Sequence, residues 1–114
     1  MRWARLGPSE LERHAHVPLV DRERARIVVV PILTPGVVAM TLGRWMLVRR
    51  GHEHDRTLFA HELVHVRQWR ELGAVRFLAG YLGSYLRSRA RGLRHWEAYR
   101  AIPFEVEART LAGW

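Results

Sequence analysis

TLFAHELVHVRQWRELG, residues 57–73, is the most informative stretch of this 114-residue chain. It places His61 and His65 four residues apart, with Glu62 directly after the first histidine. On a helix, which turns by about 100° per residue, the two histidines lie within about 40° of each other and Glu62 lies about 100° from His61. A helix over this stretch therefore carries two imidazoles and a carboxylate close together.

The other residues of this helix indicate which of its sides is buried. Apolar side chains share the arc of the two histidines or lie next to it, namely Leu58, Val66, Trp69 and Leu72. Charged side chains lie on the opposite side, namely Arg56, Arg67, Arg70 and Glu71. The histidine side is therefore expected to face the interior of the protein.

Burying two histidines and a carboxylate is costly unless they are paired or bind a cation. A divalent metal held by His61 and His65 removes that cost, and Glu62 is displaced enough to take a proton from a water instead of coordinating. The alternative is that these are core histidines with ordinary partners and that the pattern arose by chance. The inward orientation of all three groups favours a metal site.

Composition restricts the remaining ligands and the class of protein. The chain has no cysteine, so disulfides and thiolate ligands are excluded and a metal must be held by His, Asp or Glu. The net charge of +8 comes from arginine alone, because the chain has no lysine. The arginines are scattered, with one loose cluster over residues 87–94, and no RNA-binding strand or zinc-finger spacing accompanies them. No specific nucleic-acid partner is expected.

The length predicts a single domain over residues 1–114, in which residues 1–25 form a polar N-terminal extension. The longest apolar run, FLAGYLGSYL at residues 77–86, is too short to span a bilayer. The N-terminus has no apolar run of the kind that a secretory signal needs. A cytoplasmic protein is therefore expected, and its oligomeric state stays open.

The apolar pattern predicts strands first and helices afterwards, which is the order of an α+β domain. Three runs rich in β-branched or apolar residues predict a short three-stranded sheet: RIVVVPI (26–32), VVAMTL (37–42) and RWMLVRR (44–50). Asp55 can cap a helix that runs from about residue 56 to residue 72, and Gly73 can end it.

Further helices are predicted at about residues 74–88, 94–101 and 103–111. The first of them is apolar on nearly all sides and contains two glycines that permit close backbone approach, so it is expected to be buried. Four histidines outside the motif have no evident partner and are expected to be solvated: His14, His16, His52 and His54.

A hydrolytic zinc site needs a third protein ligand and an open position. The spacing that would supply a third histidine from the same helix is absent, because residue 68 is glutamine and residue 71 is glutamate. The third ligand must therefore come from another part of the chain. The candidates downstream are His95, Glu97, Glu105 and Glu107.

The segment HELVHVRQ, followed by PFEVEA at residues 103–108, resembles gluzincin-type metallopeptidases, in which a glutamate within an E-x-x-A pattern on a later helix is the third ligand. The chain is most similar to the very small bacterial minigluzincin-like proteins, over about residues 26–112. The resemblance implies a zincin-like fold that holds Zn²⁺. It makes His61, His65 and Glu105 the zinc ligands and Glu62 the general base. Glu107 is the alternative to Glu105 as the third ligand.

The resemblance also implies a peptide or protein substrate. Gluzincins place a strand beside the cleft, antiparallel to the bound peptide, and RWMLVRR is the expected strand. Tyr81, Tyr85 or Tyr99 could donate a hydroxyl to the oxyanion, although core packing is the commoner role of such residues. Two alternatives to a peptidase remain: a non-catalytic, zinc-stabilised module that binds a peptide or protein, and an arginine-rich protein of nucleic acids or membrane surfaces.

Overall fold

The computed structural model describes residues 3–34 and 36–113. Its elements are β1 (Trp3–Ala4), α1 (Pro8–Arg13), α2 (Leu19–Arg24), β2 (Arg26–Val30), β3 (Ala39–Leu42), β4 (Trp45–Arg49), α3 (Arg56–Ala90), α4 (His95–Ala101) and α5 (Pro103–Ala112). The predicted α+β class is confirmed. None of the described helices is long and apolar enough to cross a membrane.

The sheet has four strands in the order β1-β2-β4-β3, so the prediction of three strands is wrong by one. The missed strand, β1, is only two residues long, which is too short to show a β-type pattern. Strands β3 and β4, which come from the two runs on either side of Gly43, form a hairpin with Gly43 in its two-residue turn at a φ of 65°.

Strand β4 lies inside the sheet, where it pairs in parallel with β2 and antiparallel with β3. Both of its edges are therefore occupied, and the expectation that RWMLVRR lies at the edge beside a cleft is wrong. A hairpin pattern identifies which two strands are adjacent, but it does not say on which side a third strand joins them. Strand β3 takes the edge position.

The segment predicted as a polar extension is folded onto the rest of the domain. Leu6, Val17 and Ala25 belong to the same buried cluster as Met46 of β4 and Leu63 of α3. Polar residues on the exposed sides of α1 and α2 conceal these few apolar contacts in the sequence.

Two polar side chains of this segment are also buried. His14 is only 2% exposed, so the prediction that it is solvated is wrong, and burial lowers the pKa of its imidazole. Asp21 is fully buried and accepts two hydrogen bonds from Arg70, at 2.6 Å from Nε and 2.9 Å from a terminal nitrogen. This pair attaches the N-terminal helices to the outer side of α3.

Helix α3 is interrupted at Gly73, where the backbone takes φ 79° and ψ 162°. The predicted helix end is thus a break, after which the helix resumes. The first segment, residues 56–72, is buried along the side that carries the histidines. The second segment, residues 74–90, extends onward to the turn that precedes α4.

The prediction that this second segment is buried is wrong. Only one side of it is covered, where Phe77 stacks on Phe104 of α5 with ring centroids 5.1 Å apart. Gly80 permits this approach, because a Cβ at that position would lie 3.1 Å from Phe104. The opposite side exposes four apolar residues, Val75, Leu78, Leu82 and Leu86.

Candidate metal centre

Three atoms of the kind that coordinate metals converge between α3 and α5. His61 Nε2 lies 2.9 Å from Glu105 Oε1, His65 Nε2 lies 3.0 Å from the same oxygen, and the two imidazole nitrogens lie 3.2 Å apart. Ligands at about 2.0–2.1 Å from a tetrahedral zinc ion are separated from one another by about 3.3 Å. The group could therefore hold a metal ion with small side-chain adjustments.

The helices position this group through the residues around it. Pro103 begins α5, so Glu105 lies in the first turn, where the positive end of the helix dipole favours a carboxylate. Ala108, one turn later, is fully buried and lets α5 approach α3 closely. The histidines come from the inward side of α3, as the helix phase predicts. All three residues are at most 6% exposed.

The other candidate ligands lie away from the group formed by His61, His65 and Glu105. The side chain of Glu107 is 46% exposed and pairs with Arg67. His95 is exposed, and its Nδ1 hydrogen-bonds with the Tyr85 hydroxyl at 2.7 Å. Glu97 is also exposed and accepts a hydrogen bond from the backbone of Arg94 at the start of α4.

Gln68 is a further residue of the site that the sequence reasoning missed. Its side-chain nitrogen donates to Phe104 O at 3.1 Å and to Glu107 Oε1 at 2.8 Å, which directs its oxygen towards His65. His65 Nδ1 donates to that oxygen at 2.7 Å, leaving Nε2 to face Glu105. Gln68 thereby orients the ring, and when Nε2 gives up its proton the bond from Nδ1 leaves that nitrogen free to bind a metal. The sequence feature that could have indicated this contact is the position of Gln68 three residues after His65, on the same side of the helix.

Any affinity of this group for zinc is expected to fall by about 10–100-fold when leucine replaces Gln68, because the His65 ring loses the acceptor that orients it. Competition with a chromogenic chelator measures the affinity. Glu71→Gln, an exposed change on the same helix, is the matched control and should bind zinc as the parent does. Unchanged affinity in Gln68→Leu would show that the ring is held in place by packing alone.

The electrostatics of the group match a site for a cation. Burial alone would raise the pKa of Glu105, but hydrogen bonds from His61 and His65 outweigh it and hold that pKa far below its usual range. Burial alone would lower the pKa of His65, but the hydrogen bond to Glu105 and the nearby carboxylates raise it to about 9. The carboxylate is thus charged and attracts positive charge, which a divalent metal supplies in place of a proton.

Glu62 lies next to the converged ligands and is only 4% exposed. Its Oε2 has no hydrogen-bond partner among residues 3–34 and 36–113, and burial raises the pKa of its carboxyl. A buried carboxylate oxygen without a partner is costly and usually has a functional reason. A raised pKa is the property that a general base needs near neutral pH.

A cleft of about 490 Å³ opens beside His61 and Glu62. Its walls come from the loop before β3, from β3 itself and from the C-terminal helices; the lining residues outside α3 are Gly36, Val37, Val38, Ala39, Trp96, Tyr99, Arg100 and Arg109. The cleft therefore borders two members of an otherwise buried group, His61 and Glu62.

The three tyrosines are placed differently. Tyr81 donates its hydroxyl to Glu105 Oε2 at 3.0 Å, and Tyr99 lines the cleft. Burial raises the pKa of both hydroxyls, so both stay protonated and can donate hydrogen bonds. Tyr85 instead bonds to His95, away from Glu105.

Comparison of the chain with protein-family models, with curated proteins and with solved structures finds no match. The fold and the site define an α+β domain with a buried His-His-Glu group that could hold a metal ion.

Proposed function

We propose that this protein is a zinc-dependent metallopeptidase of zincin-like fold, with His61, His65 and Glu105 as the metal ligands and Glu62 as the general base. The observation that carries the proposal is the position of Glu62. Glu62 lines the cleft beside the three converged ligand atoms, and its Oε2 has no hydrogen-bond partner among residues 3–34 and 36–113. A purely structural metal site would have no need of a fourth buried group of this kind.

The ligand set favours zinc over other common ions. Two imidazoles and one carboxylate form a typical catalytic zinc site with an open position, whereas calcium and magnesium prefer oxygen ligands alone. When bound, zinc would polarise the scissile carbonyl and make a water molecule more acidic. Gln68 supports the set by accepting a hydrogen bond from His65 Nδ1, which orients the ring as such acceptors do for histidine ligands in zinc sites.

The side chains around the ligands have complementary roles in amide hydrolysis. Glu62 accepts a proton from the attacking water and delivers it to the leaving amine. The Tyr99 hydroxyl, which is held protonated by burial, can donate to the carbonyl oxygen as negative charge develops there. Tyr81 acts through its hydrogen bond to Glu105, so it is a positioning residue.

Strand β3 offers a docking edge for the peptide. Arg49 N donates to Val38 O at 2.8 Å, and the alternation of an antiparallel pair then turns the N–H and C=O groups of Ala39 and Thr41 away from β4. These groups can pair with an extended peptide by strand addition. Thr41 Oγ1 also donates to Glu62 O at 3.3 Å, which ties this edge to the helix that carries the base.

Peptide hydrolysis by the purified chain tests the proposal. Zinc-loaded protein is expected to contain about one zinc per chain and to cleave members of a proteome-derived peptide library, as followed by mass spectrometry. A chelator should abolish cleavage and added zinc should restore it. The double variant His61→Ala, His65→Ala is the control and should neither bind zinc nor cleave. Full zinc occupancy without any cleavage would contradict the peptidase and favour a non-catalytic, zinc-stabilised binding module.

A further inference from the structure

The second segment of α3 presents an uncovered apolar face, formed by Val75, Leu78, Leu82 and Leu86. These side chains are 82%, 42%, 54% and 63% exposed. Their spacing of three or four residues places them within an arc of about 80° on the helix. No element in residues 3–34 or 36–113 covers this face, although the opposite side of the same segment is packed on α5 through Phe77. Such a continuous row of exposed apolar side chains is typical of an interaction surface.

The charges around the apolar face all have one sign. Residues 72–96 contain no Asp or Glu, and their five arginines are Arg76, Arg87, Arg89, Arg91 and Arg94. All five are exposed. Arg89 lies on the apolar face itself at its C-terminal end, while Arg76 and Arg87 lie at exposed positions about 80–100° beyond the nearer edge of that face. The segment is therefore an amphipathic helix with a basic border.

This charge pattern selects among the possible occupants of the face. A second copy of the chain would bring two arginine-rich borders together without any acidic residue of the segment to neutralise them. An anionic lipid surface has the complementary charge. Helices that lie in a membrane interface have this construction, with the apolar side inserted by about 5–10 Å and basic residues among the headgroups.

We propose that residues 74–90 bind the protein to the surface of membranes that contain anionic lipids. The helix would lie along the interface, which agrees with the finding that no described helix can span the bilayer. Phe77 and Tyr81, which hold the segment to α5 and Glu105, lie beyond the other edge of the apolar face, on the side that packs on α5. Docking therefore leaves the metal centre undisturbed, and it does not depend on the proposed peptidase activity.

Co-sedimentation of the full chain with vesicles tests the proposal. The chain is expected to bind vesicles of phosphatidylcholine mixed with phosphatidylserine and to bind much less to phosphatidylcholine alone, with salt weakening the binding. The variant Leu82→Gln, Leu86→Gln should lose about tenfold or more in affinity because the inserted side becomes polar. The variant Arg87→Gln, Arg89→Gln should lose a similar factor through the loss of headgroup attraction.

Two matched controls make the test specific to this face. Leu19→Gln, Val20→Gln replaces exposed apolar residues elsewhere, and Arg49→Gln, Arg50→Gln removes the same charge from another surface. Both should bind as the parent does, and all variants should keep the parent's thermal melt. Failure of the parent to bind anionic vesicles would overturn the proposal. The proposal would also fail if Arg49→Gln, Arg50→Gln lost as much vesicle binding as Arg87→Gln, Arg89→Gln. A dimer that forms without vesicles, and that the Leu82→Gln, Leu86→Gln variant no longer forms, would show that the face binds a second copy of the chain instead.

Discussion

Replacing Glu62 by glutamine is expected to remove hydrolytic activity while zinc content and melting temperature stay at the level of the parent. The change removes the base and no ligand, and general bases typically contribute about 10²–10⁴-fold to the rate. The shape of the side chain is retained. Burial raises the pKa of this carboxyl, so the neutral amide fits the environment at least as well as the charged group it replaces.

Three measurements on the Glu62→Gln variant separate its effects: zinc by elemental analysis, a thermal melt, and cleavage of a peptide that the parent hydrolyses. Glu71→Gln, the same chemical change at an exposed position of α3, is the control and should cleave normally. If Glu62→Gln cleaves as fast as the parent, Glu62 is not the base. If it loses zinc, Glu62 acts as a ligand and the proposed division of roles is wrong.

Glu105→Gln is expected to reduce zinc affinity by more than about 100-fold. Glu107→Gln should change it little, because the amide oxygen can still accept the hydrogen bond that Glu107 accepts from Gln68. Loss of a residue that only supports a ligand costs about 10–100-fold, so neutralising a ligand should cost more. Glu105 lies among the imidazole nitrogens and is 2% exposed. Glu107, two residues on, turns outward to Arg67.

Glutamine is a better probe than alanine at position 105. The carboxylate also accepts hydrogen bonds from His61, His65 and Tyr81, so alanine would destabilise the protein even without zinc. The informative quantity is the rise in melting temperature on adding zinc, measured for both variants and for the parent. That rise should be nearly absent in Glu105→Gln and normal in Glu107→Gln. The reverse result would assign the ligand to Glu107.

The local periodicity of the sequence was sufficient to predict which side of α3 faces the interior of the protein. The phase of residues 57–73 predicted the inward side of α3, because helical geometry depends only on sequence spacing. Sequence spacing alone did not identify Glu105 as the third residue of the group, because its distance from the histidines depends on how α5 packs on α3. The E-x-x-A resemblance, and not periodicity, singled it out, and the structure brings its carboxylate to both imidazoles.

The wrong predictions about burial share a physical origin, which is that burial depends on tertiary partners. Residues 74–90 are apolar enough for a core helix, yet the chain provides a covering partner on one side only. His14 and Asp21 have no local feature that predicts burial, and they are enclosed by elements far away in sequence, as the contact of Asp21 with Arg70 illustrates. Gln68 was overlooked because its orientation towards His65 depends on hydrogen bonds to Phe104 and Glu107, which are distant in sequence.

The convergence of His65 and Glu105 has a topological consequence for a chain that lacks cysteine. These residues are 40 positions apart in sequence, so an ion bound to both would act as a cross-link that closes a long loop in the unfolded chain. By the chain-entropy relation for disulfides, a loop of that length corresponds to about 4 kcal/mol. The metal would then do for this small domain what a disulfide does for a secreted one, with the difference that a chelator can open it. The C-terminal helices, which α3 and the ion together hold in place, would be the first part of the fold to loosen.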